Sequence, residues 1–159
     1  YGRFVYAQLG IGQENSGKLV AQVKSIASEI ASEEGAEILL VDGPPGIGCP
    51  VISALSHVDL VLMVAEPTES GFHDMRRLVD LIEHFDLKSS VLINRCDVNR
   101  EITAKIEKFL DIKSIPVVGK IAYDPVFQRS CEEGCIITEY DPRYYTVFEE
   151  FKKRIIELI

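Results

Sequence analysis

Hydrophobic residues in this chain come in two kinds of run. Five are short and nearly continuous: FVYAQL (4–9), EILLVD (37–42), VDLVLMVAE (58–66), SVLINR (90–95) and IPVVGKIA (115–122). They are rich in Val, Ile and Leu without polar alternation, which predicts parallel strands covered on both faces. Between them apolar residues return every three or four positions: Val23, Ile26 and Ile30; then Met75, Leu78, Val79, Leu81, Ile82 and Phe85; then Ile102, Ile106 and Phe109. That period predicts amphipathic helices whose stripes face a core. A last helix is marked by Asp141 at its cap and Pro142 at its first position, with Phe148, Phe151, Ile155 and Leu158 along one face.

Strand–helix alternation of this kind predicts an α/β fold with a mainly parallel sheet, right-handed crossovers and helices on both faces, a three-layer αβα arrangement. A length of 159 residues suits a single α/β domain over 1–159. In such sheets ligands bind at the carboxyl ends of the strands, so chemistry is expected just after each run.

Composition narrows the classes. The formal charge is −8, and Lys and Arg are scattered among acids, so no basic face for nucleic acid or for a membrane surface is expected. No apolar run approaches the roughly 20 residues that span a bilayer, and the first residues lack the basic start and apolar stretch of a secretion signal; the expectation is a cytoplasmic protein. Cys49, Cys96, Cys131 and Cys135 do not make a secreted disulfide framework. Cys131 and Cys135 form C-x-x-x-C, half of a metal site at most, and buried thiols are the simpler reading. His57, His73 and His84 are isolated, so no acid–base pair is built from them.

The strand ends carry the candidate chemistry. Asp42 ends the second run and GPPGIG (43–48) follows; an acid before a glycine-rich turn can hold Mg²⁺ and offer a backbone N–H to a terminal phosphate, although Asp-Gly is also an ordinary turn. NRCD (94–97) differs at one position from the N-K-x-D pattern that reads guanine through an amide and a carboxylate; Asn and Asp at a helix cap would give the same letters. Tyr123-Asp124-Pro125 is a turn able to close over a base, and Pro67, Thr68 and Ser70-Gly71 open a helix; plain loop and capping chemistry would explain both. GQENSGKL (12–19) nearly fits the phosphate loop G-x-x-x-x-G-K-[ST] between a strand and a helix. Leu19 replaces the hydroxyl that would reach Mg²⁺, and Glu14 puts a carboxylate where phosphate charge would sit.

Taken together, VDGPPGIGCPVISAL, VDLVLMVAEPTESGFHDMRRLVDLIEHF, VLINRCD, GKIAYDP and CEEGCIITEYDP resemble the C-terminal part of the MinD/ParA-type P-loop ATPases, in the branch that carries an inserted ferredoxin domain. The resemblance implies a P-loop NTPase-like sheet that is incomplete here, because the family's phosphate loop and its insertion with 4Fe-4S clusters precede these residues. It implies ATP and Mg²⁺ as cofactors, with Asp42 holding the metal through water and Gly43, Pro44, Pro45 and Gly46 forming a switch loop. Lys18 would belong to the first switch region. Asn94 would contact adenine with Arg95 flanking it, and Tyr123, Asp124 and Pro125 would close over the base; Asp97 keeps guanine as the alternative. Ala122 stands where the family commonly has Pro. A homodimer coupled to an iron–sulfur or redox partner is implied for the whole protein, with this portion inactive alone. The competing expectation is an interaction module indifferent to nucleotide.

Overall fold

A computed structural model describes residues 3–8 and 16–159. The chain divides into two compact units, Tyr1–Val58 and Asp59–Ile159.

In the first unit, helix α1 (Gly17–Glu34) begins where the Ser16 hydroxyl accepts from the Leu19 N–H, and ends where Gly35, at φ 64°, turns left-handed and returns its N–H to Ala31 and Ser32. A short helix α2 (Cys49–Leu55) packs against α1. The contact is close: a Cβ on Gly17 would lie 2.7 Å from Ser53 Oγ and 3.0 Å from the Cys49 carbonyl oxygen. Lys24 of α1 donates to the carbonyls of Ala54 (2.9 Å) and Ser56, closing the end of α2.

Two of the five expected strands are not formed among the described residues. Residues 37–42, and the described part of 4–9, lack strand pairing, and no backbone hydrogen bond joins them to another segment. Apolar content favours a strand only where a neighbour completes the ladder. Here Ile38, Leu39 and Leu40 stay exposed, as do Phe4 and Tyr6. The apolar side of α1, through Val20, Val23 and Ile30, lines with these segments an open cavity of about 720 Å³.

In the second unit, β1 (Val61–Ala65), β2 (Ser89–Asn94) and β3 (Val117–Ile121) form a parallel sheet in the order β1-β2-β3. Helix α3 (Glu69–His84) connects β1 to β2, and α4 (Arg100–Lys113) connects β2 to β3. Both lie on one side: Phe72 of α3 meets Phe109 of α4 edge-on at 5.8 Å, and Lys113 pairs with Glu83 at 2.7 Å. The chain then runs through α5 (Val126–Glu132) and α6 (Ile137–Tyr140) into α7 (Pro142–Ile156).

Alternation along β3 places α7 on the opposite side. Lys120 reaches Glu107 of α4 at 2.8 Å, whereas a Cβ on its neighbour Gly119 would meet the Phe151 ring of α7 at 2.3 Å. Arg154 of α7 also donates to the Val118 carbonyl at 3.0 Å. The expected layering, helix on sheet on helix, is therefore present, with Val79, Val91, Ile93, Ile106 and Leu110 fully buried between layers. Each such side chain contributes about 1.5–3 kcal/mol. One strand departs from the expected two-sided burial: β1 leaves Leu62 and Val64 exposed within a sheet whose edge it forms.

Candidate functional site

Parallel register brings three strand ends of the second unit level with one another. Ala65 is opposite Ile93, which puts Glu66 beside Asn94, and Asn94 is opposite Ile121 at the end of β3. Asn94 Nδ2 donates to Glu66 Oε1 at 3.3 Å, and Asn94 Oδ1 accepts the backbone N–H of Arg95 at 3.1 Å. Arg95 is left-handed at φ 52°, a conformation costing a side-chain-bearing residue about 1 kcal/mol. It carries the guanidinium to 3.6 Å from Glu66 Oε1 and to 5.9 Å from the centre of the Tyr123 ring. Asp97 Oδ1 accepts the Tyr123 N–H at 2.7 Å, and the Cys96 N–H donates to the Ile121 carbonyl at 2.9 Å. Behind the loop, the buried Thr103 hydroxyl donates to the Cys96 carbonyl at 2.7 Å.

Local chemistry explains why the β1 end is so placed. Thr68 caps α3 by accepting the Gly71 N–H at 2.9 Å, and the Thr68 N–H donates to the Glu66 carbonyl at 2.8 Å. A Cβ on Gly71 would lie 2.6 Å from that carbonyl oxygen, so only glycine admits the approach. Pro67, Thr68 and Ser70-Gly71 form the loop and cap that their sequence predicts, and Glu66 joins the site without belonging to any of the candidate site motifs of the sequence. Its signal was available: an acid ends a strand two residues before a capping Thr, beside the Asn94 strand.

The turn after β3 is tied down on its far side. Asp124 Oδ1 accepts the Val126 N–H at 2.9 Å, and its Oδ2 accepts the Tyr144 hydroxyl at 3.0 Å, with Arg143 3.6 Å away. These donors, the Val126 N–H foremost, hold the Asp124 carboxyl below the usual range, and the hydrogen bond from Arg143 does the same for Asp141. Pro125 is the residue before α5, and Tyr123 is exposed. Asn94, Arg95, Asp97 and Tyr123 are thus brought together, whereas Asp124 bonds to Val126 and Tyr144 and Pro125 leads into α5.

In the first unit, Asp42 is exposed at the start of the GPPGIG loop, and its carboxylate has no hydrogen-bond or ion-pair partner among the described residues. Gly43 and Pro44 follow it, Pro45 is exposed, and Gly46 adopts φ 93°, which demands glycine. A lone hard carboxylate suits Mg²⁺, which keeps several waters and takes further oxygens from phosphates. Among the described residues no group of three or more His, Cys, Asp or Glu gathers to hold a metal alone. Lys18 is exposed in the first turn of α1. Of GQENSGKL, residues 12–15 lie outside the described residues; Gly17 is described, and it is pressed against α2.

The cysteines correct the expectation of buried thiols. Cys49, Cys131 and Cys135 are exposed, and all four are unpaired. Cys131 and Cys135 flank the Gly134 turn that ends α5, at φ 67°, where helix-end geometry rather than a core sets their position. The Cys96 thiol is pushed up, by burial first and by the Asp97 charge second. His73 and His84 lie on α3, as expected of surface positions, with His73 beside Asp74 at 3.6 Å.

No helix among the described residues is long and apolar enough to cross a membrane. No family model matches the chain. It is 35% identical over 147 residues to an uncharacterized protein of Methanocaldococcus jannaschii, covering 92% of this chain and 51% of that one. It is 25% identical over 132 residues to the septum site-determining protein MinD of Helicobacter pylori, covering 76% of this chain and 49% of the relative. The chain thus spans about half the length of these curated relatives. Among solved structures, MinD of Pyrococcus horikoshii complexed with Mg-ADP is similar at TM-score 0.66 and 21% identity, over 88% of this chain and 56% of that one. The MinC:MinD complex of Aquifex aeolicus gives 0.69 and 22%, over 89% and 60%. The parallel sheet and its helices have the α/β fold of the MinD ATPases, over part of that fold's length.

Proposed function

We propose that the whole protein is a nucleotide-binding switch ATPase, for which this chain supplies the base-contacting strand ends and the Asp42 loop. The observation that carries the reading is the convergence of Glu66, Asn94, Arg95, Asp97 and Tyr123 at the carboxyl end of a MinD-type parallel sheet, with an exposed ring and guanidinium beside an ordered amide. Arg95 and Tyr123 offer planar surfaces to a base, and Asn94 offers a donor and an acceptor. Asp42 would take Mg²⁺ through water, and Gly43 to Gly46 would sense the terminal phosphate. Lys18 would act in a neighbouring switch segment. Hydrolysis would rest on positioning and charge stabilisation rather than covalent chemistry.

In this reading the phosphate loop lies in sequence preceding these residues, and the chain alone turns over no nucleotide. A homodimer is proposed, in the cytoplasm, and the resemblance to the ferredoxin-insert branch suggests an iron–sulfur or redox protein as the partner that the switch serves. The test is calorimetric titration with Mg-ATP and Mg-GTP, first of this chain and then of the longer protein. Micromolar ATP binding and hydrolysis in the longer protein are expected, and Asp42→Asn should abolish Mg²⁺-dependent turnover without unfolding it. Full turnover in that variant would remove Asp42 from its role. Lys18→Ala should lower turnover or coupling modestly; loss of all nucleotide affinity would instead make GQENSGKL the phosphate loop.

A second reading, an interaction module indifferent to nucleotide, draws on the exposed Phe4, Tyr6, Ile38 and Leu40 of the first unit. It predicts identical behaviour of the longer protein with and without Mg-nucleotide.

A further inference from the structure

The letters Asn94-x-x-Asp97 suggest a carboxylate that reads guanine, but the geometry gives Asp97 another task. Guanine recognition by a carboxylate uses both oxygens, one for each of two neighbouring ring N–H groups. Here Asp97 Oδ1 already accepts the backbone N–H of Tyr123 at 2.7 Å, a short charge-assisted bond across two loops. Around it, the Cys96 N–H reaches the Ile121 carbonyl at 2.9 Å and the Thr103 hydroxyl holds the Cys96 carbonyl at 2.7 Å, so the loop bearing Asp97 is fixed from two directions. The Tyr123 turn is fixed downstream by Asp124, which accepts from Val126 and from Tyr144. Between Ile121 and Asp124 the Asp97 carboxylate is the hydrogen-bond partner that holds the Tyr123 backbone.

We propose that Asp97 is a positioning residue: it latches the loop after β2 to the turn after β3 and thereby sets the Tyr123 ring beside the Arg95 guanidinium, while base selectivity runs through other groups. This rests on the nucleotide reading given above, since the surface so positioned is the one assigned to a base. Asparagine at this position keeps an acceptor oxygen for the Tyr123 N–H, whereas alanine keeps none. The two substitutions therefore separate a latch from a guanine reader, which needs the charge and both oxygens.

The experiment compares Asp97→Ala and Asp97→Asn with the parent by amide hydrogen exchange at Tyr123, read by NMR on this chain, and by calorimetry of Mg-ATP and Mg-GTP binding to the longer protein. In Asp97→Ala the Tyr123 amide should exchange about tenfold faster, while amides of β2 and β3 keep their protection. Asp97→Asn should restore most of that protection. ATP affinity should fall about tenfold in the alanine variant and within about twofold in the asparagine variant, with the ATP-to-GTP ratio unchanged in both. Unchanged Tyr123 exchange in Asp97→Ala overturns the latch. Selective loss of GTP binding in Asp97→Asn makes Asp97 a base reader and also overturns it. If the longer parent protein binds neither nucleotide, the nucleotide reading falls, and the exchange measurement still decides whether the latch exists.

Discussion

Gly71 offers a sharp test of how the β1 end is built. A Cβ there would sit 2.6 Å from the Glu66 carbonyl oxygen and 2.9 Å from Thr68 Oγ1, closer than real Cβ contacts come. Neither neighbour is the free end of a flexible side chain: the first is backbone, and the second is the hydroxyl that caps α3 by accepting the Gly71 N–H at 2.9 Å. Gly71→Ala must therefore push the helix start away from the strand end. Overpacking costs about 1–3 kcal/mol, and losing the Thr68 cap costs about 0.5–2 kcal/mol. Against this, alanine favours helix over glycine by about 1 kcal/mol. The net expectation is a loss of about 1–3 kcal/mol, read by circular dichroism as a urea midpoint lowered by roughly 1 M at unchanged slope. Thr68→Ala, which removes the cap without the clash, should cost less. A Gly71→Ala protein more stable than the parent by about 1 kcal/mol would mean that propensity alone governs the site, and the close approach would be refuted.

Three further outcomes are expected. Ser90 on β2 is fully buried and its hydroxyl has no partner among the described residues, so Ser90→Ala should raise the unfolding free energy read from urea titration by about 1 kcal/mol; a fall of that size would refute the orphan assignment. Asp124 has a folded-state pKa below its ordinary 3.8, so the stability it lends is complete above that value and is lost as pH falls through the lower folded value. Urea midpoints at pH 6 and near pH 3 should therefore converge in Asp124→Asn compared with the parent, and an equal acid sensitivity of the two proteins would refute the assignment. Gly17→Ala should cost about 1 kcal/mol, since its Cβ meets Ser53 Oγ and the Cys49 carbonyl, and Ser53→Ala should relieve part of that loss; no rescue would place the strain elsewhere.

Periodicity carried the second unit well and the first unit poorly, for one physical reason. The runs 58–66, 90–95 and 115–122 each contain a strand because each finds a parallel neighbour and a helix stripe to cover it. The run 37–42 has equal apolar content, but nothing in its own letters states whether a partner strand exists, and among the described residues none pairs with it. A helix carries its hydrogen bonds within itself, so α1 was legible even though it buries no residue completely. Caps were legible for the same reason of locality: Asp141 before Pro142 does what its position predicts, its side-chain oxygen accepting from Arg143, and Asn99 likewise caps α4 by accepting from Ile102.

The candidate site shows where letters become ambiguous. Gly-Lys at a helix start fits a phosphate nest and fits tight packing of two helices equally, and the Ser53 side chain against which Gly17 packs lies on another helix, which no local pattern contains. Asn-x-x-Asp fits a guanine reader and fits a latch between loops, and the Tyr123 N–H that Asp97 accepts comes from the end of a different strand, which the four letters do not contain. Glu66 was overlooked for the converse reason: its own surroundings read as a turn, and only the register of β1 against β2 sets it beside Asn94. In each case the residue type is chosen by a partner distant in sequence and level with it in the sheet or helix pair. Parallel topology is what makes those partners level, since every strand enters at one end and releases its loop at the other. The chemistry of this chain is therefore read most securely across strand ends rather than along the chain.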